Sequence, residues 1–247
     1  MKRQKSKGKN KNNSVVGIIP ARFASTRFPG KALAIINGKP MIQHVYENAS
    51  KAKLLDKVIV TTDDKRIYNA VVDFGGNVEM TLSKHKSGTD RIGEIAKWLK
   101  CEIVVNIQGD EPFIDPNNID MAIKPLLTDS NLNVSTLRYR IKDKSEINNP
   151  NAAKVVFDKN GFGIYFSRYP VPYNRDNISN ISYYKHIGLY VYRREYLLKL
   201  IKLKQTKAEI AEQLEQLRIL ESGEKIKVIE TKIDSISIDT EEDLRKL

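Results

Sequence analysis

The chain has 247 residues, of which 40% are hydrophobic and 29% are charged, and its formal net charge is +12. The composition is typical of a globular protein, and no apolar run approaches the roughly 20 residues that a membrane-spanning helix needs. Six cations and no acid occur in residues 1–13, which predicts a disordered basic tail. Without this tail, the positive net charge of the chain is smaller.

The first predicted element is an apolar strand over residues 14–19, and the loop after it carries Arg22, Arg27 and Lys31. Backbone N–H groups and cationic side chains at the end of a strand can bind a triphosphate together. The loop lacks the Gly-Lys-Ser/Thr of a Walker A motif and the G-x-G-x-x-G of a dinucleotide loop. The alternative interpretation is an ordinary surface loop with solvated charges.

Strands and helices then alternate along the chain. Residues 57–62 are predicted to form a buried strand, and Asp64 lies where a helix cap belongs. A further helix is predicted over residues 89–100 and a further strand over residues 102–107. This alternation predicts an α/β fold with a mostly parallel, Rossmann-like sheet and helices on both faces. Ligands of such sheets bind beyond the carboxyl ends of the strands.

The pattern changes in the second half of the chain. Extended segments separated by a loop rich in proline and asparagine predict a smaller β-rich lobe at about residues 149–193, covering the site. A single helix is predicted over residues 207–222, a strand over residues 225–230, and a terminal helix from Asp239. We therefore expect a folded domain over residues 14–247.

Two carboxylates are candidate metal ligands. Asp110 follows a buried strand, and a carboxylate at a strand end can hold Mg²⁺ together with phosphate oxygens and waters. Glu111 is the alternative ligand beside it. Spacing alone favours a helix cap for Asp239, because Glu242 three residues later completes a pattern like a capping box.

Eight stretches of the chain resemble the sugar-acid cytidylyltransferase family, and within it the branch that acts on 3-deoxy-D-manno-octulosonate (Kdo). They occur in the order of the family and together span about residues 15–247. The stretches are residues 18–31, 39–46, 87–91, 106–112, 165–168, 185–188, 214–218 and 239–244. Each would be modest evidence alone, and the set is very specific.

The resemblance implies an enzyme, a nucleotidyltransferase that joins CTP to Kdo and releases pyrophosphate. The product, CMP-Kdo, would serve lipopolysaccharide biosynthesis, and Mg²⁺ would be the cofactor. Residues 14–247 would then be the nucleotidyltransferase domain, with a lobe at about 149–193 that binds the sugar and forms a homodimer. A basic nucleic-acid-binding protein is the alternative from another class, suggested by the charge, but the chain has no aromatic-interleaved basic motif and no zinc spacing.

The family's functional residues match particular positions of this chain. Those implied in catalysis are Lys31, Arg22, Asp110 and Asp239, and the resemblance makes the two aspartates metal ligands. Those implied in nucleotide binding are Ala21, Arg22, Arg27, Lys31, Ser87, Gly88, Arg91 and Gln108. Those implied in sugar binding are Arg168, His186, Tyr190, Glu215 and Gln216. Without the resemblance, Ser87 or Thr89 would be a helix cap, and Glu215 and Gln216 would belong to the polar face of a helix.

Further expectations concern the substrate and the setting of the enzyme. An amino-substituted octulosonate or another ulosonic acid is the alternative acceptor, since sequence patterns do not distinguish it from Kdo. The single cysteine, Cys101, excludes an intrachain disulfide and is interpreted as a structural thiol. The first residues lack the apolar region of a signal peptide. These features favour a cytoplasmic enzyme with no membrane partner and no specific nucleic-acid partner.

Overall fold

The computed structural model describes residues 14–24, 28–85 and 87–245, so the predicted tail at residues 1–13 lies outside it. The strands are β1 Val15–Pro20, β2 Ile35–Ile36, β3 Lys39–Pro40, β4 Lys57–Thr62, β5 Val78–Met80, β6 Ile103–Asn106, β7 Val134–Arg140, β8 Lys154–Phe157, β9 Gly163–Ser167, β10 Tyr184–Arg193 and β11 Ile226–Thr231. The helices are α1 Met41–Ala49, α2 Lys65–Asp73, α3 Gly88–Ala96, α4 Pro116–Thr128, α5 Arg194–Leu200, α6 Lys207–Glu212, α7 Gln216–Glu221 and α8 Glu241–Arg245.

The central sheet has the strand order β11-β7-β10-β6-β1-β4-β5. Parallel pairs join β6, β1, β4 and β5 on one side, and β7 and β11 on the other. β10 is antiparallel to both β6 and β7 and connects the two sides. The predicted α/β fold with a mostly parallel sheet is confirmed, and β2 and β3 form a separate two-stranded sheet.

Helices cover both faces of this sheet, because its central strands are apolar on both sides. Along β1, Val15 and Ile19 belong to one core cluster, whereas Val16 and Ile18 belong to the other. Helices α1, α2 and α4 pack into the first cluster, and α3, α5 and α7 into the second. A strand buried on both faces shows a continuous apolar run, which is why β1 and β4 are evident in the sequence.

The predicted β-rich lobe is continuous with the central sheet. β8 and β9 form an antiparallel extension that is attached to the edge of β10, with Lys185 opposite Lys154. β10 itself runs through the middle of the sheet. In the part of the chain that the structure describes, no helix is long and apolar enough to cross a membrane.

The prediction of a single helix over residues 207–222 is wrong. The chain forms α6 and α7, separated at Gln213, whose φ of 53° is left-handed. The buried Arg218 Nε donates to Glu209 Oε2 at 2.8 Å across this break. Nine residues of continuous helix would separate the two by about 13 Å along the axis, so the ion pair requires the bend.

Candidate active site

A cavity of about 350 Å³ opens at the carboxyl ends of the parallel neighbours β1 and β6. Every predicted nucleotide-binding residue lines it except Arg27, which lies outside the described residues. Asp110, Asp239 and Glu215 also line it. The cavity therefore brings together segments that are more than 200 residues apart in the chain.

Lys31 connects the two aspartates. Its Nζ donates to Asp110 Oδ2 at 2.6 Å, to Asp239 Oδ1 at 3.1 Å and to the main-chain carbonyl of Ile238 at 3.1 Å. Gly30, with a φ of 72°, precedes the short 3₁₀ turn that begins at Lys31, and a left-handed residue there favours glycine. All three side chains of this cluster keep some exposure, Lys31 at 15%, Asp110 at 26% and Asp239 at 27%.

The helix cap that spacing alone suggested for Asp239 lies one residue further on. Thr240 Oγ1 accepts from the Asp243 N–H at 3.2 Å, and Asp243 Oδ2 accepts from the Thr240 N–H at 2.9 Å. This reciprocal pair is a capping box. A main-chain bond from the Ile238 N–H to the Asp110 carbonyl, 2.9 Å long, holds the Asp239 segment beside the Asp110 loop.

The start of α3 forms another wall. Ser87 caps the helix by accepting from the Asp90 N–H at 3.1 Å. Of the two predicted caps, Ser87 and Thr89, the structure therefore selects Ser87, which also lines the cavity. Arg91 is buried, donates to Thr81 Oγ1 at 2.5 Å and pairs with Asp63 at 3.1 Å. Burial raises the pKa of the Glu215 carboxyl, although hydrogen bonds with Thr89 and Ser87 oppose the shift.

The loop after β6 closes the cavity toward β10. Gln108 Nε2 donates to the Gly188 carbonyl at 3.0 Å, which connects the nucleotide wall to the strand that carries His186 and Tyr190. A Cβ on Gly109 would lie 2.9 Å from the Pro20 carbonyl oxygen, so only glycine allows this close approach of the β6 and β1 loops.

The predicted sugar-binding residues other than Glu215 do not line this cavity. His186 and Tyr190 lie on β10, with ring centroids 5.2 Å apart. Gln216 is buried at the start of α7, and its Nε2 has no hydrogen-bond partner among the described residues. Arg168 donates to the main-chain carbonyls of Glu212, Pro150 and Gln213 at 2.6, 2.9 and 3.2 Å.

Two residues near the site have roles that the sequence did not reveal. His85, which resembles an exposed loop histidine in the sequence, lines the cavity and pairs with Glu94. Glu111, the alternative metal ligand, is buried, does not line the cavity and accepts from Ser235 Oγ at 2.5 Å. Burial raises the pKa of Glu111 to about 7. The contact of Glu111 joins segments 124 residues apart, so no local pattern indicates it.

The position of Cys101 agrees with its interpretation as a structural thiol, because it packs against the second core cluster. Burial raises its pKa to about 11, so the reactive thiolate form is scarce at neutral pH.

The two carboxylates beside Lys31 fit a magnesium ion whose other ligands are phosphate oxygens and waters. Over residues 14–24, 28–85 and 87–245, no group of three or more His, Cys, Asp or Glu side chains could hold a metal. Mg²⁺ needs only one or two protein carboxylates when phosphates and waters supply the other oxygens. Asp110 and Asp239, which share one ammonium group, match that requirement.

Known proteins resemble this chain over almost its whole length. The family model described as cytidylyltransferase matches residues 16–226. A Geotalea daltonii protein named 3-deoxy-manno-octulosonate cytidylyltransferase is 53% identical, over 94% of this chain and 96% of its own length. A protein of the same name from Geobacter metallireducens is 51% identical, over 94% of this chain and 96% of its own length.

Solved structures resemble it as well. CMP:2-keto-3-deoxy-manno-octonic acid synthetase complexed with CTP is 41% identical, with a TM-score of 0.91 over 95% of this chain and 96% of that one. 4-Diphosphocytidyl-2C-methyl-D-erythritol synthase from Anaerococcus prevotii has a TM-score of 0.62 over 95% of this chain and 96% of that one. It is only 16% identical, so it is similar in fold alone.

Proposed function

This chain belongs to the 3-deoxy-manno-octulosonate cytidylyltransferases, a branch of the cytidylyltransferase family, and we propose that the cavity around Lys31 is where it joins CTP to the sugar acid. Its activity is a nucleotidyl transfer that activates Kdo with CTP. One observation carries the proposal for the site: the Lys31 ammonium contacts both Asp110 and Asp239 within the cavity.

In this reaction the anomeric hydroxyl of the sugar acid attacks the α-phosphorus of CTP. A phosphorus–oxygen bond to the sugar forms, the bond to pyrophosphate breaks, and the hydroxyl proton is released. No covalent enzyme intermediate is needed, so the protein acts by positioning the substrates and stabilising phosphate charge. We assign that stabilisation to Lys31 and Arg22, which line the cavity, and Arg27 stays a prediction on the same loop.

We assign the metal site to Asp110 and Asp239. Bound Mg²⁺ would supply positive charge at the phosphates and lower the pKa of the attacking hydroxyl. Lys31, which contacts both carboxylates, would reduce their mutual repulsion and hold them close together.

Cytosine recognition is assigned to the wall formed by Ala21, Ser87, Gly88, Arg91 and Gln108. Gln108 donates from Nε2 to the Gly188 carbonyl, which fixes the orientation of its amide. We assign Oε1 of that amide as the acceptor for the amino group of cytosine. Uracil carries a carbonyl oxygen at this position, and two facing acceptors repel each other.

We expect CTP to be used at least about 100-fold better in kcat/KM than ATP or GTP, because a polar pocket shaped for one base rejects others strongly. The measurement is pyrophosphate release with each of the four nucleoside triphosphates and a panel of sugar acids. Equal turnover of all four nucleotides would contradict the assignment of the cavity to cytosine. Turnover with an amino-substituted octulosonate but not with Kdo would change the assigned sugar substrate. The assignment of the nucleotide site would remain.

The acceptor site is assigned to Arg168, His186, Tyr190, Glu215 and Gln216. The unpartnered Nε2 of Gln216 supports this assignment, since a buried amide normally has a partner and a sugar hydroxyl could be one. Glu215 reaches the nucleotide cavity itself. A homodimer and a cytoplasmic location stay predictions.

Arg168→Ala is expected to raise the KM for the sugar acid roughly tenfold to a hundredfold, the usual loss for a charge-assisted hydrogen bond, while CTP binding stays near normal. The melting temperature should also fall, because three main-chain carbonyls lose their donor. Sugar-acid kinetics and CTP titration should be measured well below the melting temperature. An unchanged sugar KM in the folded variant would show that Arg168 only stabilises the turn between α6 and α7 and does not bind the sugar acid.

A further inference from the structure

β10 contains a bulge beside the proposed acceptor site. Leu137 of β7 pairs with Ile187, but the next residue, Thr136, pairs with Tyr190, so the register shifts between Ile187 and Tyr190. Thr136 is fully buried opposite the bulge. Its Oγ1 lies 2.8 Å from the Leu189 carbonyl oxygen, 3.1 Å from the Ile187 carbonyl oxygen and 2.9 Å from His186 Nε2.

The chemistry of these neighbours determines the direction of each hydrogen bond. A threonine hydroxyl has one proton to donate and lone pairs with which to accept. Carbonyl oxygens can only accept, so the Thr136 proton is directed to the bulge carbonyls. Toward His186 the hydroxyl is left as an acceptor, and Nε2 of the imidazole must therefore carry a proton.

The surroundings of His186 determine its charge and ring orientation. The Phe166 ring meets the imidazole edge-on, with centroids 5.0 Å apart and planes at 84°, and Tyr190 packs against it at 5.2 Å. Burial lowers the pKa of His186 to about 3, so the ring is neutral at neutral pH. A neutral imidazole with a proton on Nε2 is an acceptor at Nδ1, and Nδ1 has no partner among the residues that the structure describes.

We propose that Thr136 is a positioning residue, which holds His186 as the Nε2–H tautomer so that Nδ1 accepts a hydrogen bond from a hydroxyl of the sugar acid. The second half of this inference rests on the proposed function, which assigns His186 to the acceptor. A hydroxyl or an amino group can donate to Nδ1, whereas a keto oxygen or fluorine at the same position cannot. His186 then selects for a donor, and it does not distinguish Kdo from an amino-substituted analogue.

The tautomer can be read directly in the folded protein. The chain has three histidines, so ¹⁵N-histidine labelling gives few signals, and His186→Asn identifies the one in question. We expect the long-range ¹H–¹⁵N pattern of an Nε2–H tautomer at neutral pH. Thr136→Val should shift His186 toward a mixture of tautomers, and Thr136→Ser should keep the wild-type pattern. An Nδ1–H tautomer or an imidazolium in the wild-type protein would overturn the proposal.

Kinetics separate this role from simple support of the bulge. Thr136→Val should raise the KM for the sugar acid roughly threefold to tenfold, with the KM for CTP unchanged and Thr136→Ser close to wild type. Thr61→Val is the matched control, because Thr61 is a buried strand threonine in the same sheet whose hydroxyl has no partner among the described residues.

The possible failures are distinguishable. Equal losses for both substrates in Thr136→Val, with the tautomer unchanged, would make Thr136 only a structural support and overturn the proposal. The expected tautomer shift with an unchanged sugar KM would contradict the proposed contact between His186 and the sugar. The assignment of the nucleotide site would not be affected.

Discussion

Asp239→Asn and Asp110→Asn are each expected to lower kcat about 100- to 1,000-fold, by analogy with the loss of one group that stabilises transition-state charge. Each replacement is nearly isosteric, so the fold should remain. The expectation follows from the shared contact of the two carboxylates with the Lys31 ammonium, inside the cavity. The measurements are steady-state kinetics over a range of Mg²⁺ concentrations and a melting curve for each variant.

The control for these variants is Asp115→Asn. Asp115 caps α4 by accepting from the Asn117 N–H at 2.7 Å, and asparagine caps helices about as well as aspartate. Its kcat should stay near wild type. Asp239→Asn with a near-normal kcat and an unchanged Mg²⁺ dependence would remove Asp239 from the metal site.

Lys31→Ala should reduce kcat/KM by about 100-fold or more, because the variant loses a cation that contacts both carboxylates and to which we assign the stabilisation of the phosphates. Lys31→Arg is not expected to restore activity fully, since a planar guanidinium differs in shape from a compact ammonium. The measurements are CTP and sugar-acid kinetics on purified protein whose fold has been checked by circular dichroism.

Lys39→Ala is the matched control for Lys31. Lys39 lies near the start of α1, and its Nζ pairs at the surface with Glu47 Oε2 at 2.8 Å. A surface pair of this kind contributes little to stability. Activity should therefore change little. Equal losses in the two lysine variants would indicate a general effect of positive charge and contradict a specific contact by Lys31.

The predicted nucleotide-binding residues that the structure describes all line the cavity, for a physical reason. β1 and β4 are buried on both faces, so their apolar runs are continuous, and β4 has the predicted bounds. Residues just after such strands must lie at the carboxyl edge of the sheet. Lys31 and Gln108 were predicted on that basis together with the resemblance, and both line the cavity.

Contacts between distant segments could not be predicted in this way. The break at Gln213 allows the pair between Glu209 and Arg218, whereas the sequence of residues 207–222 shows one continuous helical pattern. The capping box at Thr240 differs from the predicted cap at Asp239 by one residue, and only the pair of reciprocal bonds distinguishes them. The hydroxyl of Thr136 acquires its role from a bulge some 50 residues later.

The antiparallel strand β10 also has a consequence for the order of folding. The half of the sheet built from β5, β4, β1 and β6 contains the nucleotide loops, and the half built from β7 and β11 pairs with it only through β10. β10 follows both β6 and β7 in the chain, so its insertion between them closes long loops, a step that is slow by its topology. The half built from β5, β4, β1 and β6 lies within residues 15–106 and can therefore form early, whereas β11 follows β10 in the chain. The boundary between the cavity and His186 exists only after β10 has joined that half.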